Sequence, residues 1–415
     1  MGADSTVAAL AEYYVERFNL VNRDAEYTKN RWTLNRLARD GKRLKTAKIF
    51  HDTVRIADAW SDSPDFTEGM TNFVNDSTFQ WDIGANLYPH YGRVTFEGEL
   101  LNRQEPATII DTKSASTDGI ATNMLDSVEF MLWNTVAARG QVAALGGTAA
   151  AREITLTSED DVYNFPVNMR MMGSTTNTGA GTDRADKYTV TSIDPVNKKV
   201  FASRYSGAGA DLAVNDFLFS IGSKDAYMPG IATFIPATDP TDTLFGVPRT
   251  GQGPVLSGWR FPYVGSISET ILRSFAKMGK YVNRSALNFT ACLSVEDWIL
   301  LSLEQTGTVV RDEQATQRFG TETISVRTPF GNVPCVAVPQ LKSGRGWIVD
   351  WTVWKLYTLG NLPHVIDDDG KVMQRLAPGS PVGNNLNGDG VEMRFRMWKV
   401  LSCLMPMSNC TFPTA

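Results

Sequence analysis

From Gly119 to Arg139 (GIATNMLDSVEFMLWNTVAAR), Ile120, Met124, Val128, Leu132 and Val136 recur every fourth residue, with Leu125 and Met131 widening the stripe. That period predicts an α-helix with one apolar face. Asp118 is placed to cap its start and Gly140 to follow its end. The length would be about 30 Å at 1.5 Å per residue. Asn123, Asp126, Glu129 and Asn134 fall on the opposite, polar side. An ordinary core helix carries the same stripe, so the period assigns a shape and no function.

Before this spine, Val7, Leu10, Tyr14, Phe18 and Val21 give a helical spacing over residues 1–28. A basic run follows, in which Lys29, Arg31, Arg36, Arg39, Lys42, Arg43, Lys45 and Lys48 face one acid, Asp40. Such a run is either a solvated helix face or an arm for an acidic partner or nucleic acid. From His51 to Glu105 the helical period fades. Asp62 to Asp65, Asn75 to Ser77 and Tyr88 to Gly92 read as turns. Arg93 to Leu101 alternates as a half-buried strand. Two strands around a long turn predict a hairpin that cannot bury both faces alone.

After the spine, Gly146-Gly147 marks a break, and residues 152–260 are strongly β in pattern. Tyr188 to Ile193, the turn Asp194 to Lys198, the return Lys199 to Ala202 and the run Phe217 to Ile221 fit a small antiparallel barrel or sheet. Gly173 to Gly181 reads as an exposed loop. Ser266 and Glu269 form a capping-box pattern, followed by the stripe Ile267, Ile271, Phe275, Met278 and Val282. A second helix is predicted from Ser294, with Asp297 in its first turn and Trp298, Leu301 and Leu303 along it. Short strands are expected at 323–327, 333–338 and 346–350, a hairpin tip at Asp367-Asp368-Asp369-Gly370, and a long closing strand from Val391 to Val400.

The chain has 415 residues, 42% hydrophobic, 20% charged, with a net charge of −5. That suffices for two or three domains, and it argues against a general nucleic-acid binder while leaving local basic patches open. No apolar run approaches the roughly 20 residues that span a bilayer, and the N-terminus lacks a secretion signal. Cys292, Cys335, Cys403 and Cys410 have no CxxC spacing. Zinc ribbons and thioredoxin-like sites are therefore not expected, and free thiols in a reducing compartment are.

Catalytic patterns are missing. His51, His90 and His364 lie in separate segments, without HExxH, and there is no G-x-S-x-G elbow, P-loop or dinucleotide fingerprint. Asp367, Asp368 and Asp369 suit a hard cation or, more simply, a solvated turn. Glu97 and Glu99 share one strand face and could serve as the paired carboxylates of a carbohydrate-active hydrolase. Arginines on the same or another chain, Arg93 and Arg103 among them, are the simpler partners. Trp32, Trp60 and Trp81 suit packing better than a sugar platform. No cofactor and no metal is expected.

The order of parts is a basic arm, a hairpin, a spine helix, a β-rich region, a two-helix domain and long closing strands. It resembles the major capsid proteins of tailed bacteriophages, whose fold encapsulin shells share. Gly230 to Pro236 leading to Leu244 to Thr250 resembles a segment of one branch of that family. Asn288 to Trp298 before a helix does too, as does Ile366 to Gly370 followed by Gly390 to Arg394. The resemblance implies an α+β phage major-capsid fold. Its parts would be an N-terminal arm (1–50), an extended hairpin loop (51–108), a peripheral domain with the spine helix (109–150), a β-rich insertion (151–262), an axial domain (263–360) and peripheral-domain strands with the C-terminus (361–415).

The resemblance further implies a non-enzymatic virion protein, assembled in the host cytoplasm through pentamers and hexamers of itself around double-stranded DNA held by non-specific contact. An encapsulin-type compartment is the alternative within the fold. Inter-subunit contacts would fall on Arg93, Glu97, Glu99, Arg103, Asp126 and Glu129, and an inner-face basic arm on Arg36, Arg39, Lys42, Arg43 and Lys45. A portal and a cement protein are further partners that the resemblance allows, and because only residues 1–50 precede the loop, any scaffolding is expected from a separate protein or from a segment cut away beforehand. Family members that weld subunits do so from a lysine on that loop. None lies between His51 and Glu105, so this bond is not expected.

Overall fold

The computed structural model describes residues 32–40, 51–57, 62–72, 74–75, 77–82, 87–97, 106–179, 181–207, 211–282, 289–304, 324–359, 362–366, 373–375 and 390–414. The architecture is mixed α+β. The chain divides into two compact units. One comprises Met1–His51, Asp82–Glu129 and Lys355–Ser402, and the other Asp52–Trp81, Phe130–Trp354 and Cys403–Ala415.

In the first unit, the long strand Gly390–Cys403 pairs antiparallel with Tyr88–Glu97 from Gly390↔Glu97 to Lys399↔Tyr88. His364–Val365 and Met373–Arg375 pair with the same strand, and Trp354–Thr358 continues the sheet to a parallel partner, Ala38–Asp40. Tyr88 to Gly92 is therefore strand, although its Pro and Gly suggest a turn. Among the described residues Tyr88–Glu97 pairs only with Gly390–Cys403, and an edge tolerates the N–H that Pro89 lacks. Gly92 is required by packing. A Cβ there would lie 2.7 Å from Met124 Sδ and 2.9 Å from Ile120 Cγ2, so the spine helix covers this face of the sheet.

That helix runs from Pro106 to Trp133, 28 residues, about 42 Å. It starts well before the expected cap at Asp118, because Pro is tolerated in a first turn and Gly119 sits on an exposed side with nothing near its Cβ position. The predicted stripe holds as far as Leu125, with Met124 and Leu125 buried. From Val128 to Trp133 every residue is buried, so this end is enclosed on all sides rather than amphipathic. Val136 lies beyond the helix.

The second unit holds a closed barrel of strands Gly140–Gly147, Ala151–Leu156, Arg170–Ser174, Asp183–Asp194, Lys199–Ser206 and Phe217–Ser220. Alternate residues such as Tyr188, Val190, Val200 and Ala202 fill its core with Val142, Ile154 and Phe165. The barrel begins at Gly140, inside the segment expected to accompany the spine. A six-stranded sheet of the same unit orders Trp259–Arg260, Cys410–Pro413, Arg345–Asp350, Phe289–Leu293, Gly331–Ala337 and Ile324–Thr328. Cys410–Pro413 thus leaves the sheet of Gly390–Cys403, after the break at Met405-Pro406.

Helix Ile267–Val282 packs Ile267, Ile271, Phe275 and Met278 onto this sheet, with Phe275 edge-on to Phe289 at 5.0 Å. Ser266 Oγ accepts the Glu269 N–H at 3.2 Å. Glu269 itself pairs with Arg273. The carboxylate of Glu304, at the end of helix Val295–Glu304, accepts instead from the N–H groups of Ile267 and Ser268 at 3.0 and 3.1 Å.

Candidate functional site

Among the described residues no group of three or more His, Cys, Asp or Glu side chains could hold a metal ion. None of the four cysteines forms a disulfide and all are buried, and burial pushes the Cys335 thiol up to about 12. No helix of the described residues is long and apolar enough to cross a membrane. Trp81 lies in the core, edge-on to Phe234 and Phe245, donating its indole N–H to Cys403 O at 3.0 Å. Trp32 sits under Arg36, 5.3 Å from ring centroid to guanidinium. Trp60 and the aspartates 367–369 lie outside the described residues.

The residues expected to join subunits differ in their surroundings. Arg93 is engaged inside its own chain. Its Nη1 is 3.2 Å from Glu392 Oε2, and Arg394 Nε binds the other Glu392 oxygen at 2.7 Å. Glu392 is buried and needs both cations. Glu97 stands opposite Gly390 in the strand pair, while Glu99 and Arg103 lie outside the described residues. Asp126 is exposed on the spine helix.

Glu129 is a correction. It is fully buried, and its two oxygens accept from the backbone N–H groups of Thr33 and Leu34 at 3.1 and 3.0 Å. These are the first-turn donors of helix Trp32–Arg36, which a carboxylate suits by hydrogen bonding and by the sign of the helix dipole. Leu34 and Leu37 are buried beside it, and Ala38–Asp40 then zips onto Lys355–Tyr357. The helical period places Glu129 on the solvent side because it does not register a second segment crossing the spine. Asn134, also expected on that side, donates to Phe130 O at 2.8 Å.

Of the basic arm, Arg36 is exposed, Arg39 falls in the strand Ala38–Asp40, and Lys42, Arg43 and Lys45 lie outside the described residues. The arm is thus clasped to its own subunit through residues 33–40. Glu129→Gln, which removes the charge and leaves one acceptor oxygen, is expected to weaken this clasp by roughly 2 kcal/mol. Trypsin cleavage after Arg36 and Arg39 should then accelerate about thirtyfold, as the open population rises. An unchanged cleavage rate would place the strength of the clasp in Leu34 and Leu37 instead.

Two exposed apolar surfaces lie on helices of the described residues. Strands His51–Ala57 and Ser77–Asp82 make a two-stranded ribbon whose root is held by buried Val54 and Trp81. Between them lies helix Phe66–Thr71, capped by Asp65 Oδ1 on the N–H groups of Thr67 and Glu68 at 2.8 and 3.1 Å. The sequence pattern reads Asp62 to Asp65 as a turn alone. This helix buries none of its residues. Phe66 and Met70, one turn apart, are 80% and 63% exposed, and Val74 beyond them 63%. Six residues are too few for a self-sustaining helix, and large exposed apolar groups mark contact surfaces. No Lys or Arg occurs between Arg55 and Arg93, whereas Asp58, Asp62, Asp65, Glu68, Asp76 and Asp82 do.

Helix Val295–Glu304 is the second such surface. Ser294 Oγ caps it through the Asp297 N–H at 3.0 Å, and Leu301 is buried below. Val295, Ile299, Leu300 and Leu303 remain exposed. Glu296, on the same outward side, is held above the usual carboxylate range chiefly by the Asp160 carboxylate. Asp160 and Asp161 tie the barrel to Ser343 and Lys342, at 2.9 Å to the Ser343 N–H and 2.6 Å to the ammonium.

No protein-family model matches the chain, and no curated protein matches it either. Among solved structures the chain is similar to one described as the Cyanophage A-1(L) capsid asymmetric unit, with a TM-score of 0.49 and 10% identity over 92% of this chain and 90% of that one. It is also similar to a chain of Mycobacterium phage Ogopogo, with a TM-score of 0.44 and 9% identity over 93% and 92%. A third is from the holo-SrpI encapsulin complex of Synechococcus elongatus, with a TM-score of 0.40 and 7% identity over 93% and 87%.

Proposed function

We propose that this chain is a structural shell subunit whose copies join, through pentamers and hexamers, into an icosahedral phage head around double-stranded DNA. The observation that carries this reading is the ribbon with its capped helix, in which Phe66, Met70 and Val74 are presented to solvent on a segment that buries nothing of its own helix. A subunit that works by association needs such faces, and it needs no reacting constellation. The order of arm, ribbon, spine helix against an antiparallel sheet, and a separate helix-flanked sheet supports the same reading, because it is the order that the sequence resemblance implies. Many weak contacts per subunit then act together, so no single one need be strong.

Negative-stain electron microscopy of the purified full chain tests this directly. Closed particles, or rings of five and six, are the expected result, with or without an added scaffolding protein. A monodisperse monomer under every assembly condition would overturn it. Nuclease-protected DNA in particles from infected or packaging-competent cells supports a phage head. Enclosed protein cargo in its place would move the reading to an encapsulin-type compartment.

A further inference from the structure

The sheet of the first unit has one covered and one open face. Phe395, opposite Gly92, lies on the side that the spine helix covers. Residues one position off therefore point the other way. On that second side Arg93 stands directly opposite Arg394, and Tyr91 opposite Arg396. His364 is the cross-strand neighbour of Arg396 on its other flank. Tyr91, Arg93 and Arg394 are exposed, and Arg396 and Trp398 are half-buried.

The charges on this side do not balance. Like charges directly opposite in a sheet repel, and buried Glu392 offsets one of the facing pair Arg93 and Arg394. The Arg396 guanidinium has no ion pair or hydrogen bond among the described residues. Glu97 stands at the end of the pairing, opposite Gly390. Three guanidinium groups thus meet one carboxylate at the centre of the face. Contacts between proteins deplete charge from their centre, whereas phosphate contacts are built from Arg, with Tyr hydroxyls beside it. Arg394 and Arg396 lie about 6.8 Å apart along their strand. That is close to two of the steps of about 3.4 Å by which phosphates follow one another along a DNA strand.

We propose that this open face, centred on Arg93, Arg394 and Arg396, lies on the inner side of the shell and binds the phosphate backbone of the enclosed double-stranded DNA. Arg396 contributes its whole charge, and Arg93 and Arg394 share what Glu392 leaves over. The proposal rests on the shell reading and adds to it a DNA contact on the sheet, besides any made by the basic arm. Backbone contacts carry no sequence information, so unrelated sequences bind alike.

Two short duplexes of unrelated sequence, titrated into the unassembled full chain at a series of salt concentrations, test it. Arg396→Gln should weaken binding of both about fivefold at low salt and lower the slope of log K against log salt by about 0.9, the value of one phosphate contact. Arg396→Lys keeps the charge and should keep the slope. Lys280→Gln removes an exposed cation from helix Ile267–Val282 in the other unit and should change neither. Arg93 and Arg394 stay in place because buried Glu392 needs them. Unchanged urea midpoints establish that the variants fold. Tyr91→Cys reports the side of the wall, since the native cysteines are buried. A polyethylene glycol maleimide too large to cross the shell should label it in free subunits and spare it in closed particles.

If the parent assembles and Arg396→Gln keeps the parent's slope, the DNA contact is wrong and the shell reading stands. Closed particles of Tyr91→Cys that label as fast as free subunits place the face outside, with the same consequence. If Arg396→Gln stops assembly while duplex binding is unchanged, the face receives an acidic segment of another subunit, and the proposal is overturned. If the parent itself never assembles, both fall.

Discussion

Lys399→Met is expected to stabilise the folded chain, most strongly at neutral and acidic pH. Lys399 lies on the closing strand in a row with Met393, Phe395, Met397 and Leu401, all essentially buried. Phe395 stands opposite Gly92, so this row faces the spine helix. No hydrogen bond or ion pair of the Lys399 ammonium is found among the described residues, and burial pushes its pKa down to about 7 from 10.5. The unfolded chain therefore binds the extra proton between these values, and stability rises with pH across that window. Below about pH 7 the folded state carries the full cost of a buried cation, a ceiling of about 5 kcal/mol for a shift of this size. Methionine fills a similar volume without a charge. Urea midpoints should place the variant above the parent at pH 6.5 and bring the two together by pH 10. A variant less stable than its parent at pH 6.5 would mean that the ammonium has a partner that repays its burial.

The largest loss is expected at Asn409. Its side chain is fully buried. Its Oδ1 accepts from the Asp350 N–H at 2.8 Å and from the Trp354 indole N–H at 3.0 Å, while Nδ2 donates to Met405 O and Pro406 O at 3.2 and 3.3 Å. One amide thus joins three consecutive pieces of the second unit: the end of strand Arg345–Asp350, Trp354 in its aromatic cluster with Phe234, and the turn that starts Cys410–Pro413. Asn409→Ala strands two buried donors, each costing roughly 1–3 kcal/mol when unmet, so a loss of about 3 kcal/mol or more is expected. The urea midpoint should fall with little change in slope. A loss below about 1 kcal/mol would show that water enters and replaces the amide oxygen.

Elements with a strong local period are legible in the amino-acid sequence. The stripe Ile267, Ile271, Phe275 and Met278, the caps at Ser266 and Ser294, and the alternation around Tyr188 and Val190 report interactions within a few residues of themselves. The burial of Lys399 has a local signature as well, though a fainter one. Glu392, Arg394 and Arg396 alternate with Met393, Phe395 and Met397, and at Trp398-Lys399 the order inverts, which puts a lysine on the apolar row. Of the candidate contact residues, those on the spine depart from the helical period where a distant segment intervenes. Asp126 is exposed as expected, whereas Glu129, three residues on, is covered by Thr33 and Leu34.

What the sequence by itself determined is the elements with a strong local period, because helix and strand periods and caps are local properties. Only the tertiary structure decided the pairings. Gly390–Cys403 takes Tyr88–Glu97 as its neighbour, with Arg93 reaching Glu392 across 299 positions. Cys410–Pro413 crosses to another sheet, and a basic arm is pinned by a carboxylate on the spine. These choices arise from burial and backbone hydrogen bonding between segments far apart in the chain. A window of ten or twenty residues contains one side of each such contact and no trace of the other.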